Sequence, residues 1–389
     1  MNLSARLWLL AAGGFAVGTS AYVVSGVLPA VAAELGVSVA AAGQLATAFA
    51  LAYAVGAPVL ATVLGRWERR RVLVAALAVS ALGNALSALA PTYPLLVGSR
   101  VLAALGAAAY TPAATLVATQ LSPPERRGRA VALVFSGLTL SLVLGVPAGT
   151  LLGGPLGYRG VFAVVAAVCL LSALSVRILL PTVAAPPAVG LRARLAVAGD
   201  PAVLAVLGIS VLSLIAVLTI YTYVAPLLAA SAGVTGPLLS LLLVGYGVGA
   251  VVGNDLGGRL TDRFGSIRPL TVALPVFAIV IATLPLTATT AVGAGIALFV
   301  LGCGWTINAP IQSRLIELTP DNSALALSLN ASAIYLGAGL SGIVGGLVID
   351  AYGVLALPPI AVLFEVAAIG LLLVVRRQEP TTAGPSAPR

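Results

Sequence analysis

The sequence predicts an all-α membrane protein: twelve transmembrane helices in two pseudo-symmetric six-helix bundles. Three observations carry this reading. The 389 residues are 60% hydrophobic and only 8% charged, with a mean hydropathy of +1.13, whereas a soluble domain carries roughly 25% charged residues. The apolar residues fall into twelve runs, each near the ~20 residues a helix needs to cross the hydrocarbon core. Landmark residues also recur at a fixed offset of 197 positions. A water-soluble fold is excluded on these grounds. So is disorder, which needs low hydrophobicity and high charge.

Taken in order, span 1 (residues 7–30) follows Arg6 and is too long for a signal-peptide core, so it reads as retained. Span 2 (40–64) runs into an arginine cluster, and span 3 (72–90) leaves that cluster and stops at Pro91-Thr-Tyr-Pro94. Span 4 (94–118) ends before Ser122-Pro-Pro124, and span 5 (130–153) begins after Arg126, Arg127 and Arg129. Span 6 (161–180) stops at Pro181. The stretch from Pro181 to Asp200 is the longest interruption; it is rich in Pro and Ala, carries Arg192 and Arg194, and reads as a cytoplasmic linker. Spans 7 to 10 follow at 202–227, 237–257, 268–287 and 291–312. Pro320-Asp-Asn-Ser323 separates them from span 11 (323–348), and span 12 (356–376) closes the series. The expected organisation is a first bundle over 1–180, a linker over 181–200, a second bundle over 201–378 and a cytoplasmic tail over 379–389.

The net charge of +9 does not point to a nucleic acid. All 20 basic residues are arginines, set in short clusters between apolar runs. If both termini are cytoplasmic, 18 of the 20 lie on the cytoplasmic side, with Arg159 outside and Arg100 within span 4. A multi-pass protein of the cell's inner (plasma) membrane is expected, its first partner the lipid bilayer. Cys169 and Cys303 lie far apart in apolar runs and read as packing residues. With no histidine in the chain a His-based metal site is impossible, and neither metal nor cofactor is expected.

The offset pairs are Pro29 with Pro226, Gly36 with Gly233, Gly56 with Gly253, Arg66 with Arg263 and Arg71 with Arg268. Such constancy argues for two equivalent halves in tandem. Between spans 8 and 9 stands Gly258-Arg-Leu-Thr-Asp262-Arg263-Phe-Gly265, followed by Arg268. This resembles the loop signature of the major facilitator superfamily, with its last arginine displaced by two positions, and the resemblance covers the whole chain. It implies a gating loop in which Asp262 caps a helix or pairs with an arginine, while the glycines permit a tight turn. In the equivalent loop between spans 2 and 3, Gly65 stands where the family has an aspartate. Positive-inside anchoring by Arg66 and Arg69 explains that loop without a latch. Span 5 carries Gly137, Ser141, Gly145, Gly149 and Gly153, a small-residue stripe for close helix approach. Gly145-Val-Pro147-Ala-Gly149 is similar to the antiporter motif of drug exporters, although generic helix packing accounts for the stripe equally well. Gly18–Pro29, Tyr221–Pro226 and Pro310–Arg314 resemble the chloramphenicol and arabinose efflux group of the drug:proton antiporter branch. Relatives often have a glutamate where this chain has Ala21.

Ionisable groups inside a membrane cost several kcal/mol unless paired or wetted, so they mark function. Arg100 resembles the arginine of the family's proton-transfer motif and lies about 9 Å deep, where backbone carbonyls, Gln44 or Tyr22 would steady it. Glu365, midway along span 12, shares its helix face with Ala361 and Ala368, which allows another helix close by. A carboxyl that changes protonation with access suits a proton antiporter; a structural hydrogen bond is the other reading. Asp255, the third candidate, has Arg259 four residues on and reads first as a helical ion pair.

A substrate cavity can be assembled at helical spacing from Tyr22 and Ser25 of span 1, Gln44 of span 2, and Tyr110 and Thr111 of span 4. The second half would add Thr219, Thr222 and Tyr223 of span 7, Trp305, Asn308 and Gln312 of span 10, and Ser328, Ser332 and Tyr335 of span 11. Each could instead be a helix–helix contact. A lining so poor in fixed charge suits neutral, amphipathic small molecules. The expectation is a monomeric secondary transporter that exports drug-like or antibiotic-like molecules by proton antiport with alternating access. Sugar or metabolite efflux, and a non-transporting membrane sensor or scaffold, are the alternatives. No nucleophile–base pair or phosphate loop suggests an enzyme.

Overall fold

The computed structural model describes residues 3–123, 126–184, 199–320 and 323–377. The linker arginines Arg192 and Arg194 and the tail 379–389 lie outside these residues. Every regular element among the described residues is helical. That is the expected outcome where no water is present to satisfy open backbone groups.

In the first half, α1 (Leu3–Tyr22) and α2 (Val24–Leu35) form one span bent by 42°. Then come α3 (Val39–Val63), α4 (Arg69–Leu89) and α5 (Tyr93–Leu121). Next, α6 (Arg127–Leu140) passes through a π-helical turn, Ser141–Gly145, into α7 (Val146–Leu179). Pro147, which has no N–H to donate, stands just past that turn and disturbs the regular bonding there. The second half begins with α8 (Pro201–Thr222) and α9 (Val224–Ala232), again one span broken past its middle, at Tyr223. It continues with α10 (Gly236–Phe264), α11 (Ile267–Thr287) and α12 (Ala291–Gly302). A 3₁₀ turn, Cys303–Ile307, leads into α13 (Asn308–Leu318), and α14 (Ser323–Tyr352) and α15 (Leu357–Arg377) complete the chain.

By length and composition ten helices can cross a membrane, and eleven crossings result when the bent α1–α2 pair counts as one. Twelve were expected, and the difference lies in how spans 5 and 6 are counted. They follow each other without an intervening loop over Arg129–Leu179, 51 residues in which two helices meet across a kink. This stretch is more than twice the ~20 residues that one crossing needs. Gly157 breaks it, with φ 63° and ψ 176°, a conformation essentially reserved for glycine. Gly353, at φ 83° and ψ 167°, occupies the same region between α14 and α15. Taken as two crossings joined at Gly157, the stretch completes the set of twelve.

The sequence repeat is backbone geometry as well. Gly36 and Gly233, an offset pair, both end their helices in the left-handed conformation, at φ 63° and 65°. The glycine stripe of span 5 packs on span 1. A β-carbon on Gly137 would meet the Ala11 carbonyl, one on Gly145 the Thr19 side chain, and one on Gly149 Val23. In the second half α14 lies instead across α3 of the first, with Gly339, Gly342 and Gly346 facing Leu51, Thr47 and Gln44.

The arginine-bearing ends of the helices gather on one face. There the Arg69 N–H donates to the Val183 carbonyl (2.9 Å) and the Ser266 hydroxyl donates to Glu317 (2.8 Å). On the opposite face Arg159 pairs with Glu34 and the Tyr93 hydroxyl donates to the Ala41 carbonyl (2.6 Å). The two halves are bonded from the middle of the bundle towards this second face. Gln44 donates to the Gly342 carbonyl (2.9 Å), and the Tyr223 hydroxyl lies between the carbonyls of Ala40 (3.3 Å) and Gly342 (2.9 Å). Ser240 donates to the Pro147 carbonyl (2.8 Å), and the Tyr53 and Tyr335 rings stack at 3.4 Å.

Candidate functional site

Pro29 and Pro226 lack the N–H that a helix would aim at the carbonyls of residues four earlier, Ser25 and Thr222. Both spans are also broken just before these prolines, at Val23 and Tyr223. The repeat therefore places two carbonyls without their usual helical donor at equivalent depths in the two halves. Ser25 and Thr222 line one cavity between the halves, together with Tyr22, Phe49, Tyr221 and Tyr335. No charged side chain lines it. In this state it is nearly closed, at about 30 Å³, room for little more than water.

A second cavity, of about 20 Å³, lies inside the second half, lined by Ser210, Ser213, Tyr246, Trp305, Asn308 and Glu365 among others. Leu218 lines both cavities, and Tyr221 of the first stacks on Tyr246 of the second with ring centroids 4.2 Å apart. The stacked pair and Leu218 partition the two spaces. Glu365 is fully buried; its Oε1 accepts from the Ser213 hydroxyl at 3.3 Å, and its Oε2 has no protein donor. Ala361 and Ala368 are buried on the same helix face, which lets α15 approach its neighbours as the sequence suggested.

Arg100 sits behind the wall of the first cavity. It is fully buried and donates to the Ser20 carbonyl and to Asn84 Oδ1. Its guanidinium lies over the rings of Phe49 (4.7 Å) and Phe162 (5.2 Å), contacts that favour a desolvated cation. Gln44 and Tyr22 do not steady it, contrary to expectation. Gln44 spans the seam between the halves, and the polar work falls to Ser20 and Asn84, which bond each other.

Of the expected lining residues, Tyr22, Ser25, Thr222 and Tyr335 come together in the first cavity and Trp305 and Asn308 in the second. Gln312 donates to Asn308 Oδ1 (3.1 Å), one turn beyond that cavity. Others are placed elsewhere, and these positions correct the expectation. Tyr110 is fully buried and donates to the Leu10 carbonyl (2.7 Å), bracing spans 4 and 1. Thr111 bonds back to the Ala107 carbonyl within its own helix and also meets Tyr53, whose ring stacks on Tyr335 of the first cavity, so it stands behind that lining. Thr219 donates to the Ser341 carbonyl. Gln44 and Tyr223 serve the seam. Ser328 and Ser332 are half-buried and belong to neither lining. Asp255 pairs with Arg259 at 2.9 Å on an exposed surface, far more open than Glu365, so it does not join the buried ionisable groups.

At the C-terminal end of α10, Gly265 caps the helix at φ 78°; Asp262 and Arg263 lie in its last turn rather than in a loop, Asp262 exposed and Arg263 over the Phe264 ring (5.1 Å). Gly258 is crowded by nothing within 4 Å. In the first-half loop Arg66 is exposed, and buried Arg69 donates to the carbonyl of Gly65 itself. Sequence reasoning did not single out Asn84, Phe49, Ser213 or Tyr246. Asn84 was detectable as a lone amide within an apolar run; the others looked like ordinary packing residues.

Two tandem helical halves enclosing a charge-free cavity, with buried ionisable groups beside it, define a membrane transporter. Residues 10–324 match the Major Facilitator Superfamily. The chain is 35% identical over 386 residues to the inner membrane transport protein YdhP of Escherichia coli K12, covering 98% of each. It is 34% identical over 340 residues to a chloramphenicol resistance protein of Streptomyces lividans, covering 85% of this chain and 86% of that one. In fold it is similar to a bacterial homologue of the human lysosomal transporter Spinster in an inward-facing, occupied conformation, with a TM-score of 0.80 at 18% identity over 97% of both chains. The chain belongs to the Major Facilitator Superfamily and is a multi-pass membrane transporter.

Proposed function

We propose that the protein is a monomeric secondary exporter that moves small, neutral, amphipathic molecules out of the cell in exchange for protons. Its two bundles, 1–180 and 201–378, rock about the cavity between them, joined by the 181–200 linker and followed by the 379–389 tail. The arginine-rich face and both termini are cytoplasmic. The observation that carries this reading is the lining of the first cavity: aromatic and hydroxyl-bearing side chains, without fixed charge. Such a surface offers stacking and hydrogen bonds to uncharged solutes. A drug-sized molecule needs the halves to part, since the closed cavity admits only about 30 Å³. The chloramphenicol resistance relative supports the substrate class.

Flux in proteoliposomes with an imposed pH gradient tests the reading, with chloramphenicol and arabinose as separate probes. Gradient-dependent movement of chloramphenicol is the expected result. Movement of arabinose alone assigns the protein to metabolite export, and movement of neither, with the drug susceptibility of expressing cells also unchanged, rejects the reading.

A further inference from the structure

We propose that Glu365 carries the exchanged proton, in a hydrated cavity of its own inside the second half, and hands it to water that leads towards the arginine-rich face past Ser213, Ser210, Asn308 and Gln312. This rests on the proton-exchange reading above and names the group that performs it. Among the described residues Glu365 is the one fully buried carboxylate. Its Oε2 has no protein donor and faces a space of about 20 Å³, enough for a water and too small for an organic solute.

The surroundings suit proton release and little else. From α8 come Ser210 and Ser213, from α10 Tyr246, from α11 Phe277, from the turn before α13 Trp305, from α13 Asn308 and from α14 Ile334. Tyr246 is the sole other titratable lining group, and no cation lines the cavity. The carboxyl is therefore free to exist in either protonation state, unpinned by an ion pair. When the Oε2–H proton leaves for a cavity water, the charge left on the carboxylate meets the hydroxyl of Ser213 and the amide of Asn308 across the same space. Ser210 lies about one turn along α8 from Ser213 towards the arginine-rich end. Gln312, bonded to Asn308, lies one turn along α13 in the same direction. On the other side, the Tyr221–Tyr246 stack separates Glu365 from the cavity between the halves. A solute that displaces Tyr221 acts on Tyr246 and so on the proton cavity. Arg100 cannot share this role as a pair, for its partners are a carbonyl, an amide and two rings.

Two measurements test the proposal independently. In lipid-reconstituted protein, the infrared carboxyl stretch is followed through a pH titration, with Glu365→Gln as the control. A protonated-carboxyl band that disappears as pH rises and is absent from the variant supports the proposal. A wild-type band that is unchanged in the variant, or a Glu365 that never changes state, overturns it. In proteoliposomes with chloramphenicol, Glu365→Gln should lose accumulation driven by the pH gradient but keep solute exchange without a gradient, and Asn308→Leu should slow proton-linked uptake. Retained gradient-driven accumulation in Glu365→Gln also overturns the proposal. If no solute moves in wild-type protein either, the export reading fails, while the infrared arm still judges the proton site.

Discussion

Glu68 shows how one residue can replace a lost signature. The family aspartate is missing from the first-half loop, where Gly65 stands. Glu68 caps α4 instead, accepting from the N–H groups of Arg70 (2.8 Å) and Arg71 (3.0 Å), and it also accepts from Val183 N–H (3.0 Å) at the end of the first bundle. Partial burial pushes its carboxyl up, but the three backbone donors and the Arg70 charge outweigh this and hold it below its ordinary value of 4.5. A carboxyl depressed in this way adds stability above its ordinary value and loses it as pH falls through the lower, folded value. Acidification below about pH 4 should therefore release the Val183 segment. Hydrogen exchange of the Val183 amide should rise there in wild-type protein, whereas Glu68→Gln should exchange fast already at neutral pH. Equal protection in both proteins at neutral pH would show that the carboxylate is not the tie.

At the scale of elements, one hydroxyl touches both sides of the seam between the halves. Tyr223 closes the break between α8 and α9 and reaches into a space that Gly43, Gly345 and Gly346 leave open. Its hydroxyl meets the carbonyls of Ala40 and Gly342, one from each half. A hydrogen bond of this kind contributes about 1 kcal/mol net, roughly a fivefold change in a two-state population. Tyr223→Phe should therefore raise the share of molecules open on the face away from the arginines by about that factor. Spin-label distances across that face would report it, and an unchanged distance distribution would remove the seam from the gating account. The same scale explains what could not be read from residues alone. Tyr110, Thr219 and Tyr223 each lie at cavity-like helical spacing, yet a buried hydroxyl bonds to whichever carbonyl a neighbouring helix presents.

For the whole molecule, the side of closure decides which motif is engaged. The halves are bonded away from the arginine-rich face, and on that face Asp262 is exposed. A latch at Asp262 therefore acts in the opposite state, when the arginine-rich side is shut. Asp262→Ala should lower transport while leaving expression and thermal unfolding of the resting protein near wild type. Unchanged flux in vesicles would remove the latch. Cavity volume belongs to this scale too, since the same lining that holds about 30 Å³ here must expand to admit a solute.

The sequence by itself determined the helical membrane class, the paired halves and the placement of charge. These follow from one-dimensional quantities: hydropathy over a membrane's thickness, the 197-residue offset and the clustering of arginines. The Pro29–Pro226 pair was legible as a repeat, and its carbonyl partners follow from helical bonding alone. Only the tertiary structure decided that Arg100 rests on Asn84 and two phenylalanines, that Gly157 is where span 5 gives way to span 6, and that Glu365 faces its own cavity behind a tyrosine partition. Those outcomes depend on which helices become neighbours and how they are rotated. In a chain this uniformly apolar, periodicity leaves the rotation of a helix nearly free until small residues and buried polar groups find their partners.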